Sequence, residues 1–395
     1  MSAPLIPKHV VLIEPRLVDE FGHFVTQLDT LTRAFRAMGA SVTVVGDVRL
    51  QFGVRERLRA AGATVWSRLR CAGWESLRAR AVVWPIIARQ FTADLRALAQ
   101  HIPPDALVVM PSSELDVLQG LANAIHSGCW QHRTVAQLFY WDRRAADAKV
   151  KVFESALSRI VKRDVRAAMG KGLIIAGHSA PIARALERVL SMPVPDVPLA
   201  VHWPDRALGE RSASRPVLGM LGGLRDEKGF AQFAKALPTL HSSPRVVVQA
   251  APHALANESA RQSLIRAVEA RDGEVHIAPL SAADYGDLLR KVDVCVCPYV
   301  PERYAERTSG VVIEALGLGA VPVVPEGTWL AEFVREAGVG EVYAPYTASA
   351  LAAAIDRVVS DWDGRRAEAA QIAKRARDDH SPAAVVRRLV EISNG

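Results

Sequence analysis

The chain has 395 residues, half of them hydrophobic and 23% charged, which excludes a disordered polypeptide and is too long for one ordinary core, so two domains are expected. The net charge is +7, and no stretch reaches the roughly 18 apolar residues that span a bilayer. The N-terminus "MSAPLIPKHVVLIEP" has one lysine and no long apolar run, so it reads as the entry to a first strand and points to a cytoplasmic protein.

Residues 9–15 (HVVLIEP) form an apolar strand pattern, 24–39 repeat apolar residues at helical spacing up to Gly39, and 41–47 (SVTVVGD) form a second strand. This is a βαβ opening, and the fold class is α/β with parallel sheets. Residues 63–67 suggest a third strand. A helical region follows over 75–101, with a bend expected at Pro85. Between Arg49 and Arg96 lie ten arginines, no lysine and three acids, together with Trp66, Trp74 and Trp84. Arginine mixed with tryptophan suits an anionic membrane surface. Nucleic acid would attract the same charge, but no recognition motif accompanies it, and a solvated helix face over core tryptophans accounts for it equally well. Strand-like runs at 106–112, 134–142 and 172–179 alternate with helical patterns.

Near residue 200 the texture turns proline-rich and then polar, placing a linker at 205–214. The α/β rhythm then restarts: strands at 216–223, 245–251, 274–280, 293–299 and 320–326 alternate with helical patterns, one of them over 309–319. Two Rossmann-like halves are expected, 1–205 and 215–380, with a ligand in the cleft between them. Among the four cysteines, Cys295 and Cys297 share one face of a strand and read as core, since neither a second pair nor nearby histidines complete a metal set. The "DWD" at 361–363 lies in a polar stretch between C-terminal helices and reads as a turn or cap.

The chemistry concentrates in "ERTSGVVIEALGLGAVPVVPEG", residues 306–327. A strand ends at Pro298-Tyr299 and a helix opens at Ser309-Gly310. A helix start offers unpaired N–H groups to phosphate, Thr308 and Ser309 are both suitable N-caps, and Gly310 admits a ligand close to the backbone. Glu314, one turn inside, suits the vicinal diol of a ribose, and Glu306 suits a second set of hydroxyls. By itself a glutamate pair near a helix start also satisfies the helix dipole.

The stretch resembles the donor site of retaining GT-B glycosyltransferases of family four, through Glu306, Ser309, Gly310, Glu314, Ala315, Gly319, Pro322 and Val323. The resemblance implies a GT-B architecture, two Rossmann-like domains facing a central cleft. The first would bind the acceptor and the second a nucleotide-sugar, a UDP- or GDP-sugar being the substrate and no cofactor or metal being required. Segment 381–395 would be a helix packing back on the first domain. Glu306 would contact the transferred sugar, Glu314 the ribose, and the Thr308-Ser309-Gly310 turn the diphosphate. "LGGLRDEKGF" (221–230) resembles the family's phosphate-binding stretch: Gly222 and Gly223 form the turn, Lys228 and Gly229 match, and the family's arginine position is Gly223, with Arg225 two residues later. Gly22 and His23 stand where the family has a glycine-rich loop near donor phosphate and acceptor. Asp142, Arg143, Arg144, His178 and Ser179 end further strands. The implied activity is sugar transfer with retention to a glycan or lipid-linked acceptor, at the inner membrane face in polysaccharide assembly. A GT-B epimerase and a non-catalytic GT-B partner protein are the alternatives.

Overall fold

The computed structural model describes residues 6–20, 24–70, 80–138, 148–201, 203, 215–251, 257–278 and 280–395. The chain divides into two compact units, Met1–His202 with His380–Gly395, and Trp203–Asp379.

In unit 1, β1 (His9–Ile13), β2 (Ser41–Asp47), β3 (Ala63–Leu69), β4 (Leu107–Met110), β5 (Thr134–Leu138) and β6 (Leu173–Gly177) form one parallel sheet in the order β3-β2-β1-β4-β5-β6. The central strands are buried almost throughout, as expected for a parallel sheet with helices on both faces. The closing helix Pro382–Asn394 belongs to this unit, and its Val385, Val386, Leu389 and Val390 join Leu28, Leu31 and Phe35 in the core.

In unit 2, β7 (Val217–Met220), β8 (Arg245–Gln249), β9 (Glu274–His276), β10 (Val294–Val296), β11 (Val321–Pro325) and β12 (Glu341–Tyr343) repeat the topology, in the order β12-β11-β10-β7-β8-β9. Phe230, Phe233, Leu264, Val296 and Val323 lie in its core. Both sheets are doubly wound. The strand order reverses between β1 and β4 in one and between β7 and β10 in the other, and outside the carboxyl ends of such strand pairs ligands bind.

Some expectations need correction. The helix Phe52–Ala60 escaped the pattern reading because it buries only Val54 and Leu58 among its arginines. The helix Arg80–Ala99 contains Pro85, where the sequence suggested a bend, and stays helical on both sides of it. At 361–363, Asp361 closes one helix and Trp362 opens the next; Asp361 pairs with Arg365 and Asp363 with Arg366. Residues 204–214, where the linker was expected, lie outside the described residues.

Candidate active site

The carboxyl ends of β7 and β10 in unit 2 collect most of the singled-out residues. After β7 the chain turns at Gly222, which has φ +95° and donates its N–H to the Gln249 side chain at 2.8 Å. A Cβ at this position would stand 2.9 Å from Lys228 Nζ and 3.3 Å from Val311, so Gly222 leaves the ammonium and the helix start adjacent. Lys228 closes a short turn that passes through Gly229 at φ +69°. Here a side chain would overlap the Pro298 carbonyl. The loops after β7 and β10 are therefore pressed together: Val300 N–H donates to Glu227 O at 2.9 Å, and Tyr346 OH donates to Pro298 O at 2.8 Å.

Lys228 Nζ lies 5.6 Å from the centre of the buried Tyr299 ring. Burial pushes its pKa down to about 8, and the like charge of Arg225 adds to the shift. An ammonium so placed lacks a full counter-charge, which is what a phosphate supplies. Arg225 is engaged already: it stands 3.4 Å from Glu227 and 3.5 Å from Tyr304 OH. Arg307, unremarked in the sequence, takes the same Glu227 at 3.1 Å and stacks 4.9 Å over Tyr304. Two guanidinium groups thus share one carboxylate, with Lys228 within electrostatic reach of all three.

The helix Gly310–Gly317 opens against this group. Ser309 occupies the N-cap position, yet its hydroxyl does not cap; it donates to Tyr299 OH at 3.4 Å. Thr308 does not cap either, and its buried Oγ1 has no hydrogen-bond partner among the described residues. The first-turn N–H groups therefore receive no side-chain cap, contrary to the sequence expectation, and stay open to an anion. Within the helix, Glu314 accepts a hydrogen bond from Tyr285 OH at 2.8 Å. Burial raises the Glu314 pKa against the opposing effects of Tyr285 and Lys228. Tyr285 is itself raised well above its usual value by burial and by the Glu314 charge. Glu306 is exposed, with no partner among the described residues, and Gly223 is exposed in the turn.

The structure thus brings together Gly222, Lys228, Thr308, Ser309, Gly310 and Glu314, places Arg225 in a neighbouring ion-pair network, and leaves Glu306 at the surface. Sequence reasoning missed Tyr285, Tyr304, Arg307 and Gln249. Nothing in their spacing marks them: Gln249 ends β8, Tyr285 lies on the helix Ala282–Lys291, and Tyr304 and Arg307 sit in the connection after β10 with no motif of their own.

In unit 1, Gly22, His23, Asp142, Arg143 and Arg144 lie outside the described residues. At the ends of β4, β5 and β6 a polar group is buried: His178 Nε2 meets Pro111 O at 2.8 Å, Ser112 donates to Gln27 at 3.1 Å, and Ser113 Oγ and Gln137 Oε1 have no partner among the described residues. Ser179 caps the next helix through Ile182 N–H. Among the described residues, no group of three or more His, Cys, Asp or Glu is placed to hold a metal, and no helix is long and apolar enough to cross a membrane.

No curated protein sequence matches the chain. Its fold is similar to that of a glycosyltransferase from Rickettsia africae (TM-score 0.71, 11% identity, 98% of this chain and 97% of that one). It is similar also to sucrose-phosphate synthase from Thermosynechococcus elongatus (0.70, 14%, 98% of each chain) and to Anabaena HepE in complex with UDP (0.69, 14%, 97% and 99%). Residues 215–361, inside unit 2, match the family model for glycosyl transferases group 1. The chain has the GT-B fold, and residues 215–361 of its second unit are similar to the glycosyl transferases group 1 domain.

Proposed function

We propose that the protein is a retaining, metal-independent glycosyltransferase of the family-four type, moving a sugar from a UDP- or GDP-sugar to a hydroxyl acceptor. Unit 2 binds the donor and unit 1 the acceptor. The observation that carries this reading is the meeting of Lys228, Gly222 and an uncapped helix start at the point in unit 2 where strand order reverses. The match to a glycosyl transferases group 1 domain and the UDP bound by HepE support it.

The diphosphate lies on the Gly310 N–H groups and against Lys228. The ribose hydroxyls donate to Glu314, whose other contact, Tyr285, fixes the carboxylate. Glu306, beside the turn, accepts from hydroxyls of the transferred sugar. As the anomeric C–O bond breaks, negative charge grows on the departing phosphate oxygen, where Lys228 and the helix N–H groups stabilise it. The acceptor hydroxyl attacks from the face the phosphate leaves. The new C–O bond forms with retention, and the departing phosphate oxygen takes the acceptor's proton. Orientation and charge are then the protein's whole contribution. Arg225 contributes to the field; to touch phosphate its guanidinium must leave Glu227. The acceptor is a glycan or a lipid-linked precursor in polysaccharide assembly, met at the inner membrane face.

A second reading is favoured by Gly223, at the family's arginine position, and by the engagement of Arg225 with Glu227. It makes the chain a non-catalytic partner that docks nucleotide and turns nothing over.

Thermal shift with UDP, GDP, ADP, dTDP and their sugar conjugates, on wild type and Glu314→Ala, tests the donor site, since a ligand that binds the native state raises apparent stability. One nucleotide stabilising wild type, with the shift lost in the variant, is expected. No shift from any of them would sink the donor assignment. Consumption of the sugar conjugate only with acceptor, undiminished by EDTA, separates transfer from mere docking.

A further inference from the structure

Unit 1 carries a groove of about 460 Å³ between the helices Arg80–Ala99, Leu115–His126 and Ala148–Met169. Its volume falls in the range of small-molecule sites. Trp84, Arg89, Ala93, Arg96, Gln119 and Ile160 contribute to its wall, and among the described residues no acidic side chain does. Arg89 and Arg96 are seven residues apart on one helix, so they share a face, and both are exposed. Neither has an ion-pair partner among the described residues. Two acids on these helices, Asp94 and Asp164, are already engaged. Asp94 points inward to Arg70 N–H at 2.8 Å and Gln90 at 2.9 Å, while Asp164 is held by Arg163 at 2.8 Å and Gln119 at 2.9 Å. Between the arginines the floor is apolar. Ile160 (45% exposed) lines the groove, and Ile86 (43% exposed), three residues before Arg89 on the same helix, is bare to solvent just outside it. Trp84 Nε1 and Gln119 Oε1 have no hydrogen-bond partner among the described residues.

Positive charge beside an apolar floor, with an indole at its end, fits an amphiphile whose head is anionic. We propose that this groove seats an anionic phospholipid at a membrane surface, the phosphate between Arg89 and Arg96 and the upper acyl chain against Ala93 and Ile160. Trp84 then sits at headgroup depth, where tryptophan is favoured. Nucleic acid would use the arginines but leave the two isoleucines in water. The inference gives the membrane contact proposed above a location; it requires nothing of the donor site, so nucleotide binding and lipid binding fail separately.

Flotation with phosphatidylcholine–phosphatidylglycerol vesicles and with phosphatidylcholine vesicles tests it, alongside quenching of tryptophan fluorescence by phosphatidylglycerol brominated on its acyl chains. Wild type is expected to float with the anionic vesicles alone. Arg89→Ala/Arg96→Ala is expected to partition about 30-fold more weakly, two basic residues' worth of surface attraction. Trp84→Phe should still float while losing most of the quenching. Unchanged melting by circular dichroism shows that both variants fold. Equal flotation on neutral vesicles, a double variant that floats like wild type, or quenching that survives Trp84→Phe would each overturn the proposal. So would displacement of the bound protein by single-stranded nucleic acid, or binding of inorganic phosphate, lost in the double variant, with no vesicle binding at all.

Discussion

Replacing Lys228 with methionine is expected to make the unliganded protein more stable and the nucleotide complex weaker. Burial has brought the Lys228 pKa from 10.5 to about 8. A shift of that size corresponds to a cost on the order of 3 kcal/mol for keeping the ammonium charged near neutrality. The Tyr299 face returns about 1 kcal/mol of it, and the side chain retains some solvent. A net gain of about 1–2 kcal/mol is left for Lys228→Met, which fills the same space without charge. That is a rise of about 2–4 °C in Tm per kcal/mol for a domain of this size. Nucleoside diphosphate affinity moves the other way, falling about 10–100-fold with the loss of a charge-assisted phosphate contact. The two signs together mark a residue strained for an anion rather than one that holds the fold. Lysine also sets a pH dependence. Between about 8 and 10.5 the unfolded chain holds a proton that the folded chain has released, so this residue makes stability rise with pH through that window. Nucleotide affinity should fall about tenfold per pH unit above 8, a bend that Lys228→Arg removes. Differential scanning fluorimetry across pH and titration calorimetry with UDP and GDP give both readouts. A methionine variant that melts below wild type at neutral pH and binds nucleotide undiminished would refute the reasoning.

Tyr285→Phe removes the 2.8 Å bond to Glu314 and should weaken nucleoside diphosphate binding about 10-fold. The 2′,3′-dideoxy analogue should bind both proteins alike, because the loss lies in the ribose contact; an equal loss with the analogue would assign Tyr285 a merely structural role. Glu314→Gln keeps an acceptor for Tyr285 but discards the buried charge. Burial raises this carboxyl above its usual 4.5, so its contribution to stability is full below that value and is lost as pH rises through the folded one. The amide variant should therefore melt higher than wild type near neutrality, converge with it in acid, and bind nucleotide more weakly, all measurable by thermal scans against pH. Gly229→Ala forces a side chain onto the Pro298 carbonyl at a positive φ and should cost about 2 kcal/mol or more, read from urea unfolding, with nucleotide binding weakened in parallel.

How much of this was legible in the sequence differs by element. The strands were plain, because a parallel strand buried on both faces is a continuous run of β-branched residues, as "HVVLI" and "VPVVP" show. The turn at 221–229 and the helix start at 309–310 could be placed because glycine and strand ends punctuate the chain. The arginine-rich helix Phe52–Ala60 was not, since two buried side chains leave almost no periodic signal. Ser309 and Thr308 looked like caps. Only the tertiary contact with Tyr299 turned the serine hydroxyl away from the helix.

Local pattern by itself determined the α/β class, the two Rossmann-like halves and the positions of the glycine turn at 222–223 and the helix start at 309–310. Those features depend on residues a few positions apart, and hydrophobic period and backbone permissiveness fix them within one element. Tertiary structure decided the rest: the order β12-β11-β10-β7-β8-β9 that sets β7 beside β10, the contact of Gly229 with Pro298, the burial that lowers the Lys228 pKa, the Tyr285–Glu314 bond, and the pairing of Arg225 with Glu227. Most of these join elements tens of residues apart, and even the Arg225–Glu227 pair takes its setting from Tyr304 and Arg307 across the sheet's carboxyl edge. A charge or a hydroxyl acquires its role there from whatever the fold packs against it, which sequence spacing does not encode.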